Sequence, residues 1–412
     1  MGALLKQTLA FDPAPDEEVF AQIPAQRGVF ALSGHDATAE PYISKTGDLR
    51  RRIKRLLAPG ESHSKRLNLR ERCASIQFTE TGSDFENILL LYQTLRTAFP
   101  AGYGKRLRLA LSPLVRFHWE NAYPRAYVTR KLGKSAEGNS TYYGPFRSRA
   151  VADRYLNDVL DLFKSRRCTF ELNPDPAFPG CVYSEMKMCL APCFKGCSDE
   201  EYMAETRRVE EFVATRGESL ISELAREREA ASVALEFEKA AAVHAKVEKV
   251  KSAAHQADEI IRRVDKLDAV IVQPSLEAES VSLFRFHRGV ICGPVEFSIL
   301  GMALANTESG QSSLHTQPMM LEPVPLDGEA KAESKPETRL KAAVEELAAH
   351  ESASVATQAE YLALLKRWYY RGSRMGEIFY CEDGQWPWRR ILNGASRVFV
   401  GQKKKPAAIE QA

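Results

Sequence analysis

Long apolar runs, a basic leader and evenly spread cysteine are all missing from this chain of 412 residues. No apolar run reaches the ~18 residues a membrane helix needs, so no helical span is expected. The start, "MGALLKQTLAFDPAPDEE", holds only a short apolar patch and turns acidic at once. It lacks a secretory signal's basic start and small-residue cleavage site, so a cytoplasmic protein without membrane contact is expected. No internal repeat is present. Cysteine is sparse everywhere but in one place: of eight, five fall between Cys168 and Cys197. In a reducing compartment such clustering points to metal ligation rather than to disulfides.

What is present is ordinary globular material, 44% hydrophobic and 27% charged, and long enough for two to four domains of roughly 150 residues. The net charge of +3 is unevenly spread. From Phe20 to Ala110 there are 15 Lys/Arg against 8 Asp/Glu, whereas from Asp199 to Ile260 there are 9 against 15. A basic module followed by an acidic helical one suggests a polyanion partner for the first only.

Periodicity sketches the organisation. "GVFALSGHDATAEPYIS" reads as two short strands around a polar turn. "TGDLRRRIKRLLA" then reads as a helix, with Asp48 as its cap and Leu49, Ile53, Leu56 and Leu57 as one apolar stripe. "CASIQFTE" predicts another strand and "SDFENILLLYQTLRTAF" another helix, a small α+β unit from about 20 to 105. Irregular strands follow, then the helix "RAVADRYLNDVLDLF" leading into Cys168. Beyond Cys197 lie two or three antiparallel helices broken near Gly217, and "LDAVIVQPSLEAESVSLFRFHRGVICGPVEFSIL" reads as three strands. A Ser/Gly/Pro/Glu-rich stretch predicts a disordered linker, followed by a helix around "EYLALLKRWYY" and a strand "GEIFYC".

The cysteines are spaced C-x12-C-x7-C-x3-C, with Cys197 after a further three intervening residues. Four thiolates suit either Zn²⁺ or an iron–sulfur cluster; the absence of a C-x2-C pair shifts weight toward the cluster. Pro192 and Gly196 argue for a loop rather than a helix here. Buried small hydrophobes are the bland alternative. The helix around Phe237 carries a narrow apolar stripe of Val233, Phe237, Ala240, Ala241, His244 and Val247, flanked by Glu236, Glu238 and Lys239. Periodicity alone favours packing on the preceding helix over a partner site.

In order and spacing, "YYGPFRSRAVADRYLNDVLDLFKSRRC", "GCVYSEMKMCLAPC" and "ALEFEKAAAVHAKVEKV" resemble the middle of the UvrC family, the nuclease subunit of bacterial nucleotide excision repair. The similarity covers about Arg27 to Ala254. The resemblance implies that Cys168, Cys181, Cys189 and Cys193 hold a 4Fe-4S cluster, with Zn as the alternative and Cys197 an extra thiol. It also implies that the helix bearing Phe237, Glu238 and Ala241 is a UVR motif binding a UvrB-like helicase.

The first unit resembles the GIY-YIG nuclease fold that opens UvrC, where a tyrosine, an arginine and a metal-holding glutamate cleave a phosphodiester. Here "GVF" occupies the first motif, so Phe30 replaces its tyrosine. "YIS" occupies the second, with Tyr42 kept and Lys45 close behind; Arg52 falls ten residues on. The implied site is therefore Tyr42, Arg52 and Lys45. "NILLLYQ" puts Tyr92 where the family has its glutamate, and a neutral phenol is a poor Mg²⁺ or Mn²⁺ ligand. Glu86 lies six residues away, about 240° around the helix, and Asp84 more than two turns back. From Lys45 to Arg72 ten Lys/Arg face three acids, and Arg50, Arg51, Lys54, Arg55, Lys65 and Arg66 make a candidate DNA-backbone surface.

The expected architecture is α+β and multidomain. A GIY-YIG-like domain spans 20–108 and a cysteine-bearing segment 109–198. The UVR hairpin spans 199–260, a β-rich segment 261–301, a disordered linker 302–340 and a C-terminal helix-and-strand region 341–400. The RNase H-like nuclease domain and helix-hairpin-helix pair of full-length UvrC are not read here. Three functions compete: a UvrC-like nuclease, a DNA- and helicase-binding adaptor without cleavage, and a cluster-bearing module unrelated to repair.

Overall fold

The computed structural model describes residues 4–13, 16–36, 38–59, 67–133, 140–300, 335–349 and 353–403. The chain opens with β1 (Gln7–Ala10), α1 (Asp16–Gln22), β2 (Gly28–Gly34), β3 (Tyr42–Thr46) and α2 (Leu49–Leu57). β4 (Cys73–Glu80), α3 (Asp84–Ala98) and the short α4 (Tyr103–Leu107) follow. The order predicted from periodicity is present, but the unit starts earlier than residue 20, because β1 adds an antiparallel edge strand to β4. The sheet runs β1-β4-β2-β3. Local chemistry accounts for α2: the Asp48 side chain accepts from the Arg51 amide at 2.8 Å, and Leu49, Ile53, Leu56 and Leu57 are all buried. Each such burial contributes about 1.5–3 kcal/mol, which a charged replacement at Ile53 would reverse.

A second sheet, ordered β6-β5-β7-β8, comprises β5 (Leu114–Phe117), β6 (Ala126–Thr129), β7 (Thr141–Gly144) and β8 (Arg262–Arg263). Between β7 and β8 come α5 (Arg149–Leu160), the one-turn α6 (Val182–Glu185) and three longer helices. These are α7 (Asp199–Ala214), α8 (Glu218–Val233) and α9 (Phe237–Ala254). The break at Gly217 is where the sequence placed it. Gly217 has φ +92°, and an added Cβ would sit 2.7 Å from Ala254, so only glycine turns the chain this tightly. The second break differs from the expected continuous stripe. Val233 ends α8 and Phe237 begins α9, so they do not share one helix. α9 instead turns Val243, Val247 and Val250 inward.

The third sheet, β11-β10-β9-β12, contains β9 (Ala269–Pro274), β10 (Ser280–His287), β11 (Val290–Ser298) and, after two helices, β12 (Glu377–Tyr380). Those helices are α10 (Pro336–Glu346) and α11 (Val355–Tyr369); α12 (Trp388–Lys403) closes the described chain. α10 begins inside the stretch expected to be linker, because Leu340, Val344 and Leu347 fall at helical spacing and are buried. Residues 302–334 of that expected linker lie outside the described residues. α12 was not anticipated; Gly394 interrupts its pattern, yet Ile391, Ala395, Val398 and Phe399 reach a core with β9 and α10.

All three sheets are antiparallel, so the α+β class holds. The segments are not independent bodies, however. One apolar core runs from Val29, Ala31 and Tyr92 through β5, β7, α5 and α9 to Ile271, Phe284 and Trp368. Phe85 of α3 has its ring 5.1 Å from those of both Phe284 and Trp368, joining the first unit to the last. A smaller core on the other face of the first sheet holds Phe30, Leu32, Leu49, Ile53 and Phe78.

Candidate functional site

Strand alternation decides which predicted site residues meet. Phe30 and Leu32 face the α2 core, while Val29 and Ala31 face the large core. Opposite residues of an antiparallel pair share a face. The register sets Ser44 against Phe30, Tyr42 against Leu32, and Lys45 against Val29. Tyr42 therefore lies on the α2 face, where Arg52 donates Nη2–H to its hydroxyl at 3.3 Å and Phe30 lies 6.1 Å away, ring to ring. Lys45 lies on the opposite face. Tyr42 lines a hollow of about 360 Å³ with His35, Asp36, Glu40 and Arg72. Two of its carboxylates are engaged: Asp36 accepts from Thr38 at 2.7 Å, and Glu40 pairs with Arg106 at 2.6 Å.

Tyr92 is on the Lys45 face and fully buried. Its hydroxyl donates to Glu360 Oε2 of α11 at 2.7 Å and accepts from Arg96 at 2.9 Å. Tyr103 donates to the other Glu360 oxygen at 2.6 Å. Burial first, then the bond to Glu360, drive the Tyr92 phenol well above its ordinary range. Position 92 is thus a structural junction between α3 and α11. Glu86 accepts from the Gly82 amide at 2.7 Å, and burial pushes its carboxyl up to about 7. Asp84 pairs with Arg371 at 2.7 Å.

On α2, Arg50, Arg51, Lys54 and Arg55 are exposed. Arg50 is tied to the Ile23 carbonyl at 2.6 Å and Lys54 lies over Phe20, but none of the four has a carboxylate partner among the described residues. Lys65 and Arg66 lie outside the described residues.

Cys168, Cys181, Cys189 and Cys193 are brought into one neighbourhood. The Cys189 thiol is pushed up to about 11, chiefly by burial and further by the thiols of Cys168, Cys193 and Cys181. The Ala191 amide donates to Cys189 Sγ at 3.4 Å and Arg166 to Cys168 Sγ at 3.6 Å, donors suited to sulfur carrying charge. Pro192–Phe194 form a 3-10 turn between left-handed Ala191 and Lys195, the loop that Pro192 and Gly196 predicted. The sulfurs are neighbours without being drawn to a common point: among the described residues no group of three or more His, Cys, Asp or Glu is arranged to hold a metal ion.

At the tip of the α8–α9 hairpin, Val233, Leu235 and Phe237 are 77%, 71% and 68% exposed, and Glu238 and Ala241 are exposed beside them. Leu235 has φ +59°, the turn that throws these apolar side chains outward. Sequence reading missed the partners of the buried groups: nothing local to Tyr92 or Asp84 signals Glu360 or Arg371, more than 250 residues away.

Among the described residues no helix is long and apolar enough to cross a membrane. Residues 113–212 match the UvrC/Cho excinuclease middle domain. The "UvrABC system protein C" of Oleidesulfovibrio alaskensis is 29% identical over 287 residues, 68% of this chain and 40% of that protein. That of Ruegeria pomeroyi is 33% identical over 210 residues, 50% of this chain and 32% of the relative; that of Aliivibrio salmonicida is 27% identical over 308 residues, 74% and 50%. The chain thus spans half or less of the length of these curated relatives. No solved structure matches it. Residues 113–212 thus carry the middle domain of the UvrC/Cho excinucleases, and the chain is similar to UvrC proteins well beyond that domain.

Proposed function

We propose that this chain serves nucleotide excision repair as a subunit that grips DNA through the exposed cations of α2 and a UvrB-like helicase through the apolar tip of the α8–α9 hairpin, without cutting DNA in its first unit. The observation that carries the last clause is Tyr92. The GIY-YIG reaction needs a metal-holding carboxylate beside Tyr42 and Arg52; here the residue after the leucine run is a buried phenol on the far face of the sheet, bound to Glu360 and Arg96. Tyr42 and Arg52 keep their contact and could still hold a phosphate oxygen. The exposed tip supports the helicase reading, because three large apolar side chains in water at one turn mark an interaction site more often than a fold requirement.

Cys168, Cys181, Cys189 and Cys193 are proposed to hold a 4Fe-4S cluster. Four neighbouring thiols, with backbone and guanidinium donors directed at sulfur, supply the chemistry of such a site. Bound there, the cluster would tie α5 to the start of α7 and stabilise the middle domain.

A nicking assay tests the proposal, with damaged duplex, a UvrB-like partner and Mg²⁺ or Mn²⁺, and Arg52→Ala as control. DNA and partner binding without nicking is the expected result. Nicking that disappears in Arg52→Ala would establish the competing reading, a metal-dependent GIY-YIG endonuclease.

A further inference from the structure

Several arginines in this protein are each matched with a carboxylate of their own. Arg285 meets Asp268 in two hydrogen bonds, Arg397 meets Glu377 likewise, and Arg263 meets Asp265. A different arrangement stands beside α11. On the Lys45 face of the first sheet, Arg27 and Arg371 flank the Asp84 carboxylate, and both, with Arg367, act on Lys45; Arg367 also donates to the Leu107 carbonyl at 3.1 Å. Arg371 takes that carboxylate at 2.7 Å. Arg27 stands 4.0 Å from it, and its Nη1 is buried without a hydrogen-bond acceptor. The Lys45 ammonium has no hydrogen-bond partner among the described residues. Burial lowers its pKa; Asp84 opposes that shift, and the three guanidiniums add to it. Among the described residues these four cations meet one carboxylate, and the Arg27 and Arg371 side chains remain 30% and 48% exposed. A tetrahedral group with several acceptor oxygens would satisfy these donors, and planar guanidiniums are suited to bind it with paired hydrogen bonds.

We propose that Arg27, Lys45, Arg367 and Arg371 form a phosphate-binding site joining the first sheet to the end of α11, and that it takes a backbone phosphate of the DNA strand. The site rests on the DNA-binding reading above and deepens it. The two surfaces lie on opposite faces of the sheet, so they are separable by mutation. The cluster draws on both ends of the chain, so a phosphate held there also clamps α11 against the first sheet.

The experiment uses the full chain and a labelled duplex oligonucleotide, read by anisotropy across a salt series, with inorganic phosphate against ionic-strength-matched chloride in thermal shift as a second arm. Lys45→Gln and the pair Arg367→Gln/Arg371→Gln should each weaken the duplex about fivefold or more and reduce the salt slope by about 1. Asp84→Asn, which removes the carboxylate between these cations, should tighten binding; a merely structural ion pair would give the opposite sign or no change. The pair Arg51→Gln/Lys54→Gln on α2 reports on the first reading alone. If it weakens binding while the cluster variants bind like the parent and Asp84→Asn gains nothing, the inference fails and the first reading stands. If only the cluster variants matter, α2 is not the grip and the inference holds. Stabilisation by inorganic phosphate that Lys45→Gln abolishes, with duplex affinity unmoved, would identify free phosphate as the ligand and overturn the backbone assignment.

Discussion

The junction at Tyr92 invites a quantitative test. Glu360 accepts from Tyr92 and Tyr103 at 2.7 and 2.6 Å, and Arg96 donates to the Tyr92 hydroxyl at 2.9 Å. Tyr92→Phe keeps the ring and removes one donor to a carboxylate, a bond worth about 1.5–3 kcal/mol, so a loss near 2 kcal/mol in urea unfolding is expected. Glu360→Gln should cost a similar amount, because its amide can accept from only one of the two phenols. Since both changes break one shared bond, the double variant should fall short of the sum by about 1.5 kcal/mol. A neutral Tyr92→Phe, within about 0.5 kcal/mol and additive with Glu360→Gln, would refute the junction. Tyr92→Glu supplies the carboxylate that the resemblance to GIY-YIG nucleases implies at this place, but sets a second carboxylate beside Glu360 in a buried place. It should destabilise more than Tyr92→Phe and gain no Mg²⁺-dependent nicking. Nicking regained in Tyr92→Glu would place position 92 with Tyr42 and Arg52 and overturn the assignment of faces.

Three further outcomes are expected. Glu86 has a folded pKa of about 7, above its ordinary 4.5, so its contribution is full below pH 4.5 and lost as pH rises through 7. Glu86→Gln should therefore remove up to about 3 kcal/mol of the stability fall over that window, and identical pH profiles would disprove the burial penalty. Phe237→Ala, at an exposed tip, should leave stability within about 0.5 kcal/mol yet abolish pulldown of a UvrB-like helicase; retained pulldown would end the docking reading. Protein purified anaerobically should be brown and lose its iron in Cys189→Ser, whereas a colourless protein carrying one zinc would make the site a zinc centre.

Much of this molecule was legible in one dimension because the forces involved act over a few residues. The Asp48 cap, the Leu49–Leu57 stripe, the strand order of the first unit, the Gly217 break and the cysteine loop around Pro192 all follow from local geometry and period. The family, too, could be read from motif order and cysteine spacing. Even the separation of Tyr42 from Lys45 was implicit in their odd spacing along a strand of period two, although which face held which partners was not. The tertiary structure alone decided what stands opposite each buried polar group. Glu360 reaches Tyr92 across 268 residues and Arg371 reaches Asp84 from the end of α11, because one continuous core folds the last helices back onto the first sheet. Burial makes such pairings strong and specific, but their partners lie far apart in sequence, beyond the reach of any local pattern. The chain's ancestry is written in its local order, whereas the fate of position 92 was settled by a helix that packs against it from the other end of the chain.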